Sequence, residues 1–347
     1  MSLALAFESS CDETGVALVK DGRQVIEAPL FSQIATHRPY GGIVPEYASR
    51  AHLEKFTLLT DEILRKHPLK PGDLDYIAVT TRPGLIGALL VGYQSARAAA
   101  RYFRAPLIGV HHLEAHLAAV RLSGMDIPYP ALGLLLSGGN SAIYRLEAPG
   151  RITLIGDTLD DAAGEALDKA AQILSFGYPG GPLIEKAATA YAESRGISPS
   201  DELKLEKENI FPVILKSLAR EKTQFSFSGI KTALVRYRSE HPESDANMLA
   251  FFYQERIVEH IVRNLRHALE AVGPLPVMAA GGVLANKRLR RGLEHVSRES
   301  GVQLLIPEFR YCTDNAAMVA AAAELYFENR KTSPYADVTS GNAFLSA

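Results

Sequence analysis

The segment GVHHLEAHLAAV, residues 109–120, holds the side chains with the clearest potential for chemistry. His112 and His116 are four positions apart, so on an α-helix both imidazoles lie on the same face. Two neutral imidazoles placed in this way can ligate one divalent cation, although a pair of buried, hydrogen-bonded histidines is the more common reason for such spacing. Glu114 belongs to another face of that helix, so the segment is not the HExxH motif of zinc peptidases.

A metal held by two histidines needs a third ligand from elsewhere in the chain. The segment CTDN, residues 312–315, is a candidate, because it also lies where a predicted strand gives way to a predicted helix. Asp314 would supply a hard oxygen ligand. Alternatively, Thr313 or Asp314 caps the helix predicted over 313–330, and the residues alone favour the cap.

A second acidic site is ESSCDETG, residues 8–15, between two predicted strands. Asp12, Glu13 and Thr14 at this turn could orient water, metal or phosphate, or could form an ordinary solvated turn. No base lies near Cys11 in the sequence, so we interpret that thiol as structural.

Three glycine turns indicate a nucleotide site. LLLSGGNS (134–141) joins two predicted strands, AAGGVLAN (279–286) joins a strand to a helix, and YPGGP (178–182) precedes another helix. Paired glycines let backbone N–H groups approach a phosphate, and helix N-termini favour anions. Each turn alone is more simply a turn without a ligand, but three in one chain favour a nucleotide.

A basic cluster lies in ANKRLRRGLEH, residues 285–295. Lys287, Arg288, Arg290 and Arg291 share a predicted helix. A solvated helix face is the favoured interpretation, and contact with an RNA backbone is the sharper alternative. No aromatic residues are interleaved there, so base stacking is not indicated.

Alternating strands and helices position these motifs. Strands are predicted at 3–9, 15–22, 75–81, 106–110, 131–137, 141–150, 151–157, 275–282 and 302–308, with helices after most of them. The hairpin near residue 131 resembles the one at the N-terminus, which indicates a faint internal repeat. We therefore expect an α/β architecture of two lobes, with ligand at the strand ends between them.

Bulk composition narrows the class of protein. The chain has 347 residues, 47% hydrophobic and 22% charged, and a net charge of −2, so nothing overall indicates a polyanion binder. Two cysteines without a CxxC fit a reducing compartment. The N-terminus lacks a basic region, and the apolar run 84–93 is far shorter than the ~20 residues of a membrane span. We expect a cytoplasmic protein with no membrane role.

Taken in order, the motifs resemble one family closely. They are ESSCDETGVAL, YGGIVPEYASRAHL, PGLIGALLVG, VHHLEAHL, LLSGGNS, DDAAGEALDKAAQIL, YPGGP, FSFSGIKTAL, AGGVLAN and CTDNAAM, and they cover about residues 3–325. This set is similar to the tRNA threonylcarbamoyl transferases of the TsaD type, formerly described as glycoproteases, in their bacterial or organellar branch.

The resemblance implies an actin-like, sugar-kinase-like duplicated fold of two lobes with an interlobe cleft. We expect the first lobe at 1–120, completed by about 305–330, the second at 121–304, and a tail at 331–347. It also implies that His112, His116 and Asp314 hold one divalent metal ion, which overrules the cap as the favoured role of Asp314. A set of two histidines and one aspartate suits zinc or ferrous iron.

The implied reaction transfers a threonylcarbamoyl group from threonylcarbamoyl-AMP to N6 of adenosine 37, in tRNAs that read codons beginning with A, and releases AMP. The implied nucleotide site has its phosphate side along Leu135, Leu136, Ser137, Gly138 and Gly139 and is completed by Asp168, Gly181, Glu185 and Asn286. Asp168 suits ribose hydroxyls. We further expect Asp12, or its neighbour Glu13, to help remove the proton from the attacking amine.

The resemblance also implies partner proteins. Bacterial relatives work with a paralogous actin-fold subunit of the TsaB type and a small P-loop ATPase of the TsaE type.

The chain differs from the usual family motifs at three places. Here SGGN with Asn140 replaces the usual SGGH, RPGL places Arg82 near the expected cleft, and FPVI (211–214) replaces FPRP. Arg82 could contact tRNA or phosphate or be a plain surface residue.

Three other classes of function compete with this one. An actin-fold small-molecule kinase would share the hairpins and glycine turns but would not need the two histidines with a distant aspartate. A metallopeptidase lacks support because no HExxH motif is present. A partner subunit without catalysis would not need His112, His116 and Asp314 intact.

Overall fold

The computed structural model describes residues 1–40, 42–198, 223–329 and 338–339. The segment 211–214, and the expected tail apart from 338–339, lie outside the described residues, as does most of the irregular stretch predicted around 196–228. The chain divides into two compact units. The first comprises Met1–Tyr129, Leu146–Thr153 and Ile306–Ala347, and the second comprises Pro130–Arg145 and Leu154–Leu305.

The first six strands form one sheet. They are β1 Leu3–Glu8, β2 Glu13–Lys20, β3 Gln24–Glu27, β4 Leu30–Ser32, β5 Tyr76–Arg82 and β6 Leu107–His111. The order is β3-β2-β1-β5-β6, and β4 also pairs with β2. Strand β1 runs antiparallel to β2 and parallel to β5, as the predicted strand–turn–strand and strand–helix pattern requires.

The remaining five strands form a second sheet. They are β7 Ala131–Leu136, β8 Ser141–Ala148, β9 Arg151–Asp157, β10 Val277–Ala280 and β11 Leu304–Leu305. The order β9-β8-β7-β10-β11 repeats that of the first sheet, with β10 parallel to β7 and to β11. The shared strand order shows that the faint sequence repeat corresponds to a structural repeat. Strand β11 is much shorter than the strand predicted over 302–308.

The helices of the first unit are α1 Ile34–His37, α2 Pro45–Lys66, α3 Ile86–Phe103, α4 His112–Ala118 and α10 Ala316–Glu328. Those of the second unit are α5 Ala163–Ile173, α6 Gly180–Ser194, α7 Ser228–Glu240, α8 Ala246–Val272 and α9 Lys287–Ser300. Among the described residues, no helix is both long and apolar enough to cross a bilayer.

Alternation along β1 divides the apolar side chains of the first unit between two cores. Ala4 and Ala6 join the cluster that includes α10, whereas Leu5 and Phe7 join the cluster that includes residues of α2 and α3. Because both faces of the sheet are covered, β1 reads as an almost continuous apolar run. The small residues of α10 let this helix approach the sheet closely.

Candidate metal and nucleotide sites

Three predicted ligands meet in the first unit. His112 and His116 lie on α4, and Asp314 lies in the turn before α10. One ligand atom from each side chain fits within 4.8 Å of the others. Asp314 Oδ1 lies 3.0 Å from His116 Nε2 and 3.7 Å from His112 Nε2. The spacing of the histidines and the distant aspartate therefore produce one cluster of nitrogen and oxygen donors.

Local structure explains why Asp314 is available to this cluster. Helix α10 is capped by Asn315, whose side chain accepts a hydrogen bond from Met318 N at 2.9 Å. The prediction that Thr313 or Asp314 caps this helix was wrong, because the helix begins later and Asn315 satisfies its free N–H. Gly15 of β2 lets the helix start nearby, since a Cβ there would lie 3.1 Å from Ala316 N.

Two residues of the β1–β2 region orient His112 through its Nδ1 atom, on the side of the ring away from Asp314. Its Nδ1 lies 3.1 Å from Ser10 Oγ and 3.5 Å from Glu8 Oε2. Glu8 is fully buried and also accepts hydrogen bonds from Ser10 N and from the hydroxyl of Thr80. Such outer contacts fix the orientation of a ligating imidazole and raise its basicity. The other ring nitrogen of His112 is thereby directed toward Asp314.

The charges of this site are strongly coupled in the metal-free protein. Burial lowers the pKa of His112, but the carboxylates of Asp314 and Glu8 outweigh burial and raise the pKa to about 9. Burial raises the pKa of Asp314, but the charge of His112 and contact with His116 bring it down to about 2. The pKa of Glu8 is likewise lowered, because His112 outweighs burial. The protein thus holds a proton where a cation would bind.

His116 tests whether the residues fit a metal ion. It is 1% exposed, and neither ring nitrogen has a hydrogen-bond partner with acceptable geometry among the described residues, although Nε2 is close to Asp314. A buried imidazole without partners is costly in a purely structural role. A cation coordinated by Nε2 would give that nitrogen a partner, and the donor set of two imidazoles and one carboxylate fits a divalent ion such as zinc or ferrous iron.

The turn between β1 and β2 places two more carboxylates near this cluster. Burial raises the pKa of Glu13 to about 9, with a hydrogen bond to Asp12 and the charge of Asp314 adding to it. Burial and the same carboxylates raise the pKa of the Cys11 thiol, which stays protonated. These three residues are only partly exposed, so the turn is not the fully solvated one considered from the sequence. At neutral pH, Glu13 is a neutral acid beside Asp12.

The second unit holds the glycine turn predicted to face a phosphate. Leu135 and Leu136 end β7 in the core, and Ser137 closes the turn because its Oγ accepts from Asn140 N at 3.0 Å. A Cβ on Gly138 or Gly139 would meet nothing within 4 Å, so the two glycines have open space beside them. Their backbone is therefore accessible to a ligand.

The start of helix α5 packs tightly against this turn. Gly164 N donates to Ser137 O at 3.2 Å, and a Cβ on Gly164 would lie only 2.8 Å from Gly138 Cα. Glycine is therefore required at position 164 by the close approach of the two backbones. The geometry of the glycine turn is fixed by this contact.

The other predicted nucleotide residues already have partners at helix N-termini. Asp168 Oδ1 accepts from Gly180 N at 2.6 Å, and burial raises the pKa of Asp168 despite hydrogen bonds from Gly180 and Gly181. Glu185 Oε1 accepts from Lys287 N at 2.7 Å. These two carboxylates hold the starts of α6 and α9, and Gly181 has open space beside its Cα.

Both polar atoms of the Asn286 side chain form hydrogen bonds. Its Oδ1 caps α9 by accepting from Leu289 N at 2.9 Å, and its Nδ2 donates to Gln254 Oε1 at 2.7 Å. The preceding turn approaches β7 closely, because a Cβ on Gly281 would lie 2.2 Å from Leu136 O. Asn286 therefore fixes a glycine turn next to the end of β7.

Comparison with known proteins identifies the family. The TsaD family, tRNA N6-adenosine threonylcarbamoyltransferase, matches residues 24–321. The enzyme of that name from Leptospira interrogans is 43% identical over 94% of this chain and 94% of its own. The one from Bacillus subtilis is 40% identical over 93% of this chain and 90% of its own.

The chain belongs to the tRNA N6-adenosine threonylcarbamoyltransferase family. It is accordingly a transferase that modifies tRNA, and this function and the family resemblance read from the motifs are confirmed.

Solved structures confirm the fold expected for this family member. HypF from T. kodakarensis aligns with a TM-score of 0.55 at 14% identity, over 96% of this chain and 48% of its own. The activator of 2-hydroxyisocaproyl-CoA dehydratase from Clostridium difficile, with bound ADPNP, aligns with a TM-score of 0.50 at 15% identity, over 94% and 95%. At such identities the likeness concerns the fold alone, which is the actin-like α/β class.

Glu114, which lies between His112 and His116 in the sequence, does not have the position of the glutamate in the HExxH motif of zinc peptidases. It is 2% exposed, and its carboxylate accepts hydrogen bonds from Gly150 N at 3.0 Å and from Tyr326 Oη at 2.7 Å. The glutamate between the two histidines therefore supports the helix from another face, as its spacing predicts.

Two arginines are more buried in the structure than the sequence indicated. Arg82 is 6% exposed at the end of β5, so it is not a surface residue. Arg288 is also 6% exposed, and its guanidinium makes hydrogen bonds of 2.6–3.0 Å to Glu255 of α8. The favoured solvated face of α9 was therefore wrong for Arg288, because the partner glutamate comes from a distant helix.

Sequence reasoning missed the supporting residues Glu8, Ser10 and His52. All three lie within motifs that carry the family resemblance, ESSCDETGVAL and YGGIVPEYASRAHL. Their role depends on tertiary contacts with α4 and with the β1–β2 turn, for which spacing gave no signal.

Proposed function

We propose that the chain transfers a threonylcarbamoyl group from threonylcarbamoyl-AMP to N6 of adenosine 37 in tRNAs that read codons beginning with A. His112, His116 and Asp314 would hold one divalent ion, Fe²⁺ or Zn²⁺. The observation that carries the proposal is the convergence of these three side chains, with His116 Nε2 only 3.0 Å from Asp314 and with no hydrogen-bond partner for buried His116 Nδ1 among the described residues.

Residues of the second unit would bind the nucleotide part of the donor. The phosphate would approach the backbone of Ser137, Gly138 and Gly139, where the open glycines leave room for it. Asp168 and Gly181 at the start of α6, and Glu185 and Asn286 at the start of α9, would shape the nucleoside pocket. Asp168, Glu185 and Asn286 act chiefly by holding the two helix starts in place.

The chemical step is acyl transfer to a weakly nucleophilic amine. N6 of adenosine attacks the carbamoyl carbon, a C–N bond forms, and the C–O bond to AMP breaks, with its electron pair leaving on the phosphate. An ion bound by the triad supplies Lewis-acid polarisation of the carbonyl or of a phosphate oxygen. Asp12 accepts the proton that N6 loses, while Glu13, whose pKa is about 9, stays neutral beside it and donates a hydrogen bond.

We further propose that the enzyme works in the cytoplasm with a paralogous actin-fold subunit of the TsaB type and a small ATPase of the TsaE type. The near-neutral net charge of −2 supports help from a partner in tRNA binding.

The test is an in vitro reaction of purified protein, divalent metal, threonylcarbamoyl-AMP and unmodified tRNA, followed by nucleoside mass spectrometry. Threonylcarbamoyladenosine formed by the chain alone supports the activity and shows that no partner is essential. If product forms only after the TsaB-type and TsaE-type proteins are added, the partner proposal is supported as well. Continued absence of product, together with ATP turnover that needs no tRNA, would favour a small-molecule kinase.

A further inference from the structure

His52 of helix α2 is a buried side chain that contacts both ends of the acidic β1–β2 turn. It has no exposed surface, its Nδ1 lies 2.8 Å from Thr14 Oγ1, and its Nε2 lies 3.0 Å from the carbonyl oxygen of Cys11. The imidazole therefore bridges the residue before and the residue after the Asp12–Glu13 pair.

The contact of His52 Nε2 with the Cys11 carbonyl oxygen, at 3.0 Å, is shorter than its contact with Gln33 Nε2, at 3.4 Å, and indicates which ring nitrogen carries the proton. A carbonyl oxygen can only accept, so Nε2 must donate to Cys11 O. Nδ1 is then an acceptor and receives the hydroxyl hydrogen of Thr14. Burial lowers the pKa of His52, which keeps the ring neutral in this one tautomer.

The acidic turn has backbone and side-chain anchors on both sides, and His52 is the side chain that joins them. Ser10 is tied to the metal-ligand side through His112 Nδ1 at 3.1 Å, and the carbonyl of Asp12 accepts from Gln33 N at 3.0 Å. Glu13 and Thr14 pair with Ser32 and Phe31 of β4, and His52 adds the contacts with the Thr14 hydroxyl and the Cys11 carbonyl. With these contacts the backbone around Asp12 is fixed, and its carboxylate has the neighbouring Glu13 as a hydrogen-bond partner.

We propose that His52 is a positioning residue that fixes the Asp12–Glu13 turn so that the Asp12 carboxylate reaches the attacking amine. The inference rests on the proposed function, in which Asp12 accepts the proton from N6. A displacement of a reacting group by about 1 Å can cost 10²-fold in rate, so a loosened turn lowers turnover without removing a binding contact.

Two substitutions separate the contacts of His52. In His52→Asn, the short amide reaches the position of Nδ1 and can keep the contact with Thr14, but the donor to Cys11 is lost. In His52→Gln, the longer amide can place an N–H at the position of Nε2. We expect kcat to fall about 10–100-fold in His52→Asn with KM for tRNA unchanged, and to recover partly in His52→Gln.

Ile63→Val is the matched control for general loosening of helix α2. Ile63 lies eleven residues further along the helix and is fully buried in the core cluster that contains Leu5 and Phe7. This variant is expected to lower the unfolding temperature while keeping kcat near that of the wild type. Bound metal, measured on every variant, should stay the same.

The experiment is threonylcarbamoyladenosine formation by the full chain, under the conditions and with any partners that give wild-type activity, for single variants and for His52→Asn combined with Asp12→Ala. If His52 acts through Asp12, His52→Asn has little further effect in the Asp12→Ala background. The same fold loss in both backgrounds, or full activity of His52→Asn, would overturn the inference. An inactive wild type would instead overturn the proposed function.

Discussion

His116 Nε2 lies 3.0 Å from Asp314 Oδ1, although the two residues come from helix α4 and from the turn before α10. His112 Nε2 is 3.7 Å from the same oxygen atom. The contact between a carboxylate and two imidazoles is the geometric core of the proposed metal site, because it brings two nitrogen donors and one oxygen donor to one point.

Replacement of a proposed ligand should remove both the bound metal and most of the transfer activity. We expect His116→Ala to lose bound metal and about 10³-fold in transfer rate, since Lewis-acid polarisation contributes several kcal/mol. Metal content by mass spectrometry and product formation measure the two effects. His67→Ala, at the end of α2 and away from the cluster, is the control. A His116→Ala protein that keeps both metal and full activity would contradict the assigned site.

The charge state of the metal-free site predicts how metal binding depends on pH. With a pKa of about 9, His112 carries a proton at neutral pH that a cation must displace, whereas Asp314, with a pKa of about 2, is already ionised. Apparent Zn²⁺ affinity should therefore increase by about tenfold per unit between pH 6 and 8. Calorimetric titration at several pH values measures it, and a constant affinity would show that His112 is neutral in the free protein.

Much of the fold could be predicted from the sequence because local patterns were consistent. The hairpins at residues 3–22 and 131–150, the helix with His112 and His116, and the α/β class all follow from period and turn residues. The ends of the strands and helices were predicted less well than their positions along the chain. In the strand predicted over 302–308, Leu304 and Leu305 pair with Val277 and Met278 of β10.

Side-chain roles that depend on distant partners could not be predicted from spacing. Asp314 before a helix looks like a cap, but the neighbouring Asn315 takes that role, and Asp314 lies beside His116 instead. Arg288 in a basic run looks solvated, but Glu255 from another helix allows its burial. Resemblance to a family supplied the proposed role of Asp314 as a metal ligand, whereas helix propensity favoured a cap, which is formed by Asn315 instead.

Asp12→Ala tests the proton acceptor. We expect this variant to retain metal and threonylcarbamoyl-AMP binding but to lose about 10²–10⁴-fold in transfer rate, the usual contribution of a positioned base. Product formation under single-turnover conditions, with metal content and nucleotide binding measured in parallel, provides the test. Full activity of Asp12→Ala would rule out Asp12 as the acceptor.

Glu13→Gln should stabilise the metal-free protein as pH rises. In the unfolded chain Glu13 ionises near 4.5, whereas in the folded protein it keeps its proton until about pH 9. Between these values the folded state binds the additional proton, so wild-type stability falls with increasing pH, and the glutamine variant lacks this loss. Its advantage in free energy of unfolding should grow from pH 5 to pH 8 in urea titrations.

The control for the lost charge is Glu54→Gln, at an exposed position of helix α2. An advantage of Glu13→Gln that is equal at pH 5 and pH 8 would mean that Glu13 is ionised in the folded protein.

The glycine turn of the second unit allows a substitution that affects binding and not folding. A Cβ on Gly138 meets nothing within 4 Å, so Gly138→Ala should leave the unfolding temperature unchanged, as should the control Gly42→Ala. At Gly138, however, the methyl group would obstruct the approach of a phosphate to the backbone. We expect at least about tenfold weaker binding of threonylcarbamoyl-AMP, a loss of roughly 1.4 kcal/mol.

Gly164→Ala provides the contrast to Gly138→Ala. Its Cβ would lie 2.8 Å from Gly138 Cα and from Ser137 O, so the substitution must displace the turn and should lower both stability and nucleotide binding. Equilibrium binding and thermal unfolding on the three alanine variants separate the two effects. If Gly138→Ala binds threonylcarbamoyl-AMP as tightly as Gly42→Ala does, the phosphate does not approach this turn, and the nucleotide site must lie elsewhere.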